Sequence, residues 1–104
     1  MIKTGVTSVT FRELTADKVI YLTQRAGLDG IEWGGDVHVP LGDVATAEDV
    51  REKTILAGIE VFSYGSYYRA GTGQDADMDL LLDTAEALGA KTVRIWLADK
   101  SSTE

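Results

Sequence analysis

The sequence contains no cysteine, which rules out disulfide scaffolds, thiolate zinc sites and cysteine nucleophiles. That absence suits a reducing compartment, and a cytoplasmic location is expected. No apolar run approaches the ~20 residues a membrane-spanning helix needs. Met1 to Gly5 leads into strand-like sequence rather than the apolar core of a signal peptide. Basic residues are scarce and scattered: ten Lys and Arg face 17 Asp and Glu, for a net charge of −7. A nucleic-acid-binding surface needs the opposite balance, because phosphate neutralisation supplies most non-specific affinity. Neither nucleic acid nor membrane is therefore an expected partner. The acidity suits a neutral or metal-bridged ligand, although a local Arg pocket can still hold a phosphate.

What is present is one domain of 104 residues, 1–104, long enough for a modest core. Ile2 to Thr10 is β-rich, with Phe11, Arg12 and Glu13 following as a loop. A helix is predicted over Ala16 to Ala26, with Thr15 as N-cap, Asp17 in the first turn and Gly27 as its stop. A second strand spans Leu28 to Trp33. Thr46, with Asp49 three residues on, resembles a short-armed capping box and predicts a helix running to Ala57. A third strand covers Ile59 to Tyr64, followed by a polar loop with Tyr67, Tyr68, Arg69, Gly71 and Gly73. A third helix starts near Asp77 or Met78 and stops at Gly89. A fourth strand covers Lys91 to Leu97.

The three stop glycines, Gly27, Gly58 and Gly89, recur at intervals of 31 residues. Each opens a similar phrase: A-G-L-D-G-I-E-W, A-G-I-E-V-F-S-Y and L-G-A-K-T-V-R-I-W. Repeated strand–helix units of this length predict a parallel sheet with right-handed crossovers. Eight such units come to about 250 residues, the usual size of a (β/α)8 barrel. The predicted fold is α/β, a parallel β-α-β-α-β-α-β half of a TIM barrel with strand order 1-2-3-4, the N-terminal half lacking strands five to eight. A flavodoxin-like sheet, which begins 2-1-3, is the competing topology.

The repeat also predicts which way side chains face. Glu32, Ser63 and Arg94 are equivalent and should point into the barrel. Ile31, Phe62 and Val93, and likewise Trp33, Tyr64 and Ile95, should pack outward beneath the helices. Deleting one partner of a buried ion pair costs about 3–5 kcal/mol, so Glu32 and Arg94 are expected to be linked directly or through water. The next equivalent set, Gly34, Gly65 and Trp96, leaves room for a ligand or for the Trp96 ring.

The stretch Gly30 to Pro40, G-I-E-W-G-G-D-V-H-V-P, carries a carboxylate into two glycines and then reaches Asp36 and His38, the single histidine. Together with F-S-Y-G-S-Y-Y-R and L-G-A-K-T-V-R-I-W, it resembles the sugar phosphate isomerase/epimerase group of the xylose-isomerase-like (β/α)8 superfamily. The resemblance covers essentially the whole chain. It implies a small sugar or sugar phosphate as ligand, with Phe11, Glu32, His38, Tyr67 and Trp96 forming the substrate-side wall. It also implies a divalent metal (Mn, Mg, Zn or Co) in the full-length parent, held by Glu, Asp and His residues of the second half. No metal is expected in this half, which should be inactive alone.

Each of these residues has a plainer role open to it. His38 is either a ligand contact or a loop histidine bonding a backbone group. Glu32 is a catalytic base less readily than a structural partner of Arg94. Among the tyrosines, Tyr67 rather than Tyr64 is expected to face the site. Asp75, Asp77, Asp79, Asp83 and Glu86 imitate the spacing of an EF-hand loop, but Leu80 stands where its glycine belongs, and acidic residues suit a helix N-terminus anyway. Gly71-Thr72-Gly73 is a weak phosphate cradle, and no nucleophile motif is present. The alternative function is a non-catalytic half-barrel, either a binding module or a homodimer formed through exposed strand edges.

Overall fold

The structure, a computed structural model, describes residues 2–70 and 75–97, with side chains described at all of these except 67–70, 75–76 and 96–97. The strands are β1 (Gly5–Thr7), β2 (Gly30–Gly34), β3 (Glu60–Ala70) and β4 (Val93–Leu97). The helices are α1 (Ala16–Arg25), α2 (Val44–Leu56) and α3 (Asp75–Leu88), and a 3-10 turn, Ser8–Phe11, follows β1. All neighbouring strands are parallel and their order is β1-β2-β3-β4. That order is the one expected of a half-barrel-like α/β unit, not of a flavodoxin-like sheet. No helix among the described residues is long and apolar enough to cross a membrane.

The 31-residue period is visible in the hydrogen bonding as well as in the sequence. Gly27, Gly58 and Gly89 take φ of 72°, 77° and 78°, the left-handed conformation that glycine adopts without a Cβ penalty. At each end the residue after the glycine reaches back into the last helical turn: Leu28 to Thr23, Ile59 to Thr54 and Ala90 to Ala85. This closes the orphan carbonyls of all three helices in the same way. Thr23 and Thr54, one period apart, each donate a hydroxyl to the carbonyl four residues earlier. A buried hydroxyl is satisfied in this way without any partner outside its own helix.

Several boundaries differ from the sequence-based expectation. Thr15 does cap α1, accepting from the Lys18 N–H. The cap of α2 is Asp43, not Thr46: its carboxylate accepts from the Thr46 N–H at 3.1 Å and the Thr46 hydroxyl at 2.8 Å. An aspartate outcompetes a threonine as cap because it presents two acceptor oxygens to the positive end of the helix. Both hydrogen bonds hold the Asp43 carboxyl below its ordinary pKa. β3 runs on to Ala70, so the segment expected to be a loop after Tyr64 is strand, paired through Arg69 and Ala70 with Trp96 and Leu97. The predicted glycine pair Gly71 and Gly73 lies outside the described residues.

The core lies between the sheet and the helices. Val19, Ile31, Trp33, Val39, Ala47, Tyr64 and Leu88 are fully inaccessible to solvent. Burying side chains of this size stabilises by about 1.5–3 kcal/mol each before conformational entropy is charged against them. Ile31, Trp33 and Tyr64 point outward into this layer, as the repeat predicts. Two members of the predicted outward sets depart from it. Ile95 is 42% exposed, because no helix among the described residues covers the outer face of β4. Phe62 turns inward, for a reason set by the strand register.

Candidate functional site on the inner face

Ile31 is in register with Val61, but Glu32 is in register with Ser63. β3 therefore carries one extra residue, Phe62, between those two pairs. A bulge of this kind interrupts alternation, so consecutive residues can face the same way. Because Ile31 faces the core, Gly30 and Glu32 face the opposite, inner side. A Cβ built on Gly30 would lie 2.5 Å from the Phe62 ring, and one on Gly5 would also lie 2.5 Å from it. The ring thus covers two glycines on the inner face of β1 and β2. Glycine is required there because any side chain would occupy the space of the ring.

Immediately above this aromatic layer, towards the C-terminal ends of the strands, the three repeat-equivalent polar residues meet. Ser63 donates its hydroxyl to Glu32 Oε1 at 2.8 Å. Arg94 donates Nε and Nη2 to Glu32 Oε2 at 3.2 and 3.1 Å. The pairing expected between Glu32 and Arg94 is therefore direct. It passes over β3 at Gly65, where a Cβ would lie 2.7 Å from Arg94 Nη2 and 2.8 Å from Glu32 Oε2. The space expected at Gly65 for a ligand or for Trp96 is thus taken by the ion pair. At Gly34 the space is bounded by the Ser8 hydroxyl and the Asp36 carboxylate, and Ser8 accepts the Gly34 N–H at 2.7 Å.

Glu32 is 17% and Arg94 41% exposed in their side chains, so the pair is open to a small solute on the inner side. A carboxylate accepting from Ser63 and Arg94 is held in one orientation, with the guanidinium beside it. Such a cluster offers both acceptors and donors within a few ångströms, the arrangement that fits a ligand bearing adjacent hydroxyls. At the rim, Arg12 Nη2 pairs with Asp36 Oδ2 at 3.0 Å, and the other Asp36 oxygen accepts the Val37 N–H. The ion pair fixes the loop after β2 against the segment after β1.

Two of the remaining wall residues, His38 and Phe11, lie away from this cluster. His38 is buried, with Nε2 at 2.6 Å from the Leu14 carbonyl, and its ring meets the Trp33 ring edge-on at 5.8 Å. A carbonyl only accepts, so Nε2 carries the proton and His38 bonds a backbone group. Trp33 faces the helical core, which places His38 on the outer side of the sheet. Phe11 is packed against the hydrophobic core from the 3-10 turn. The Tyr67 and Trp96 side chains lie outside the described residues. Tyr64 is fully buried and donates its hydroxyl to the Val39 carbonyl at 2.8 Å, and burial pushes its phenol up to about 12.

Sequence reasoning placed Glu32, Ser63 and Arg94 on one inward surface but put Phe62 on the outer one. The signal for Phe62 was available in Gly5 and Gly30, two glycines inside neighbouring strands. Such residues mark a close approach by something bulky. Among the described residues no group of three or more His, Cys, Asp or Glu side chains is placed to hold a metal ion. The donors among the described residues do not fit the divalent metal that the resemblance implies, and no chemical step is derived through one. No protein-family model matches the chain, and no curated protein matches it either.

Proposed function

We propose that this chain is the substrate-binding half of a (β/α)8 sugar or sugar phosphate isomerase or epimerase. Its part is to bind and orient the ligand rather than to move protons by itself. The observation that carries the reading is the Glu32–Ser63–Arg94 cluster, set on the inner face of a parallel sheet with strand order 1-2-3-4. Ligand sites of barrels of this class lie at the C-terminal ends of the strands. Glu32 accepts from ligand hydroxyls, Arg94 donates to a hydroxyl or phosphate oxygen, and Phe62 supplies an apolar floor for the carbon skeleton.

Titrating labelled protein with ketoses, hydroxypyruvate and a ketose phosphate, while recording amide shifts, tests this reading. Millimolar affinity is expected, with shifts concentrated at Ser63, Gly65 and Arg94 and abolished by Arg94→Met. Shifts confined to the helical surface, or none with any of the three, would sink it. Turnover assays with and without Mn²⁺ should show no isomerisation by this chain alone, and metal-dependent turnover would overturn the assignment of a purely binding role.

A further inference from the structure

All-parallel sheets are normally covered on both faces, and here the described helices cover one. The inner face and the two outer edges of the sheet form a continuous surface. On β1, Thr4 gives its carbonyl to Asp29 and Gly30 next to β2. By alternation, the peptide groups of Gly5 and Thr7 point to the open side. On β4, the carbonyls of Thr92 and Arg94 turn towards β3, where they accept from the Tyr64 N–H and the Ser66 hydroxyl. The peptide groups of Val93 and Ile95 therefore point to the other open side. Each edge is a row of donors and acceptors with no strand beside it among the described residues.

We propose that the partner of this surface is a second copy of the same chain, closing an eight-stranded barrel about a twofold axis parallel to the strands. Rotation about such an axis keeps strand direction, so β4 of each copy meets β1 of the other in parallel, the pairing used throughout the sheet. Both new junctions are identical, as an isologous interface requires. The inner face is layered to suit the closure. At the N-terminal end Lys3 pairs with Glu60 at 2.8 Å, and towards the C-terminal end Arg94 pairs with Glu32. These charges are thus matched within each copy, so closing the barrel leaves neither pair's members alone in its interior. Between these layers sits half-buried Phe62, which would meet its counterpart across the axis and fill the space above Gly5 and Gly30.

The inference adds self-association to the half-barrel reading but does not depend on sugar binding, so each can fail without the other. Sedimentation equilibrium on the 104-residue chain should show a monomer–dimer equilibrium. The dimer should tighten severalfold on raising salt, because two bodies of charge −7 repel one another while their ion pairs lie within each copy. Phe62→Ser should weaken dimerisation at least tenfold. Hydrogen exchange of the unsubstituted chain gives a second readout should that variant fail to fold: the amides of Gly5, Thr7, Val93 and Ile95 should be protected at high protein concentration and lose protection on dilution. A chain that stays monomeric at millimolar concentration overturns the proposal. So does a dimer in which those four amides exchange as fast as in the monomer, or growth into open-ended oligomers.

Discussion

The two faces of β2 draw on neighbouring residues of one strand and put them to opposite uses. On the outer face, Ile31 and Trp33 are fully buried beneath the helices, and the loop that follows folds back so that His38 and Val39 seal them. On the inner face, Gly30, Glu32 and Gly34 line a surface whose charges remain partly open to water. The outer face is held by dispersion and excluded water, which are unforgiving of lost volume. The inner face is held by short polar contacts in a wetter setting, where individual interactions stabilise less. Stability therefore resides on one side of the strand, and the proposed ligand site on the other.

The largest effect that tests this division is on the outer face. Trp33→Ala should cost about 3–5 kcal/mol in urea unfolding, much of the stability of a small domain. Trp33→Phe should cost far less, since the indole N–H has no hydrogen-bond partner among the described residues to lose. If the alanine variant loses less than the inner-face variants described below, the division fails.

Tyr64→Phe comes next. It leaves the Val39 carbonyl without its 2.8 Å donor in a dry site, at a cost of about 1–3 kcal/mol. The tyrosine also sets an alkaline limit. Its folded pKa of about 12 lies above the ordinary value of 10.0, so the neutral form is favoured by folding. That contribution is complete below pH 10 and is lost as pH rises through 12. Unfolding midpoints measured across this window should fall steeply for the native chain and less steeply for Tyr64→Phe.

Much of this arrangement was legible in the sequence because it follows from local rules repeated three times. A glycine after each helix, a threonine in its last turns and an apolar pair in the next strand fix the helix ends, the strand order and the outer layer. The same period brings Glu32, Ser63 and Arg94 together. What the period could not show is where it is broken. One extra residue in β3 turns Phe62 inward, and periodicity assigns facing only while alternation holds. His38 was left between two roles for a different reason, and its backbone bond is the one the structure shows. A histidine in a loop beyond a strand end reads as a ligand contact until the fold shows the Leu14 carbonyl waiting beside it. Asp43 was overlooked as a cap because Thr46 and Asp49 offered a familiar spacing, and capping choice depends on where the chain turns.

The inner face offers its own steric test at Gly30. Gly30→Ala puts a methyl group within 2.5 Å of the Phe62 ring, a rigid body that cannot bend aside as a long side chain can. Displacing the ring should cost about 1–3 kcal/mol. It should also shift the Phe62 ring resonances while leaving the Trp33 indole signal in place. Movement of both signals together would mean that the two faces are mechanically coupled.

The smallest effect on stability belongs to Glu32→Gln, and it is the most informative about what the inner face is for. The substitution keeps the size and the acceptor oxygen for Ser63 but removes the charge opposite Arg94. Because Arg94 is 41% exposed, water can take over from the lost carboxylate oxygen. The change in unfolding free energy should stay within about 1 kcal/mol. Ligand affinity should respond differently, since an amide side chain must turn its NH2 group towards either Ser63 or Arg94, and towards Arg94 it sets donor against donor. Expected is a loss of at least tenfold in affinity for a ketose, read by the same amide shifts, with the melting midpoint nearly unmoved. A variant that melts several degrees lower but binds normally would show that the ion pair is a structural strut, and the ligand site would then have to be sought elsewhere on the inner face.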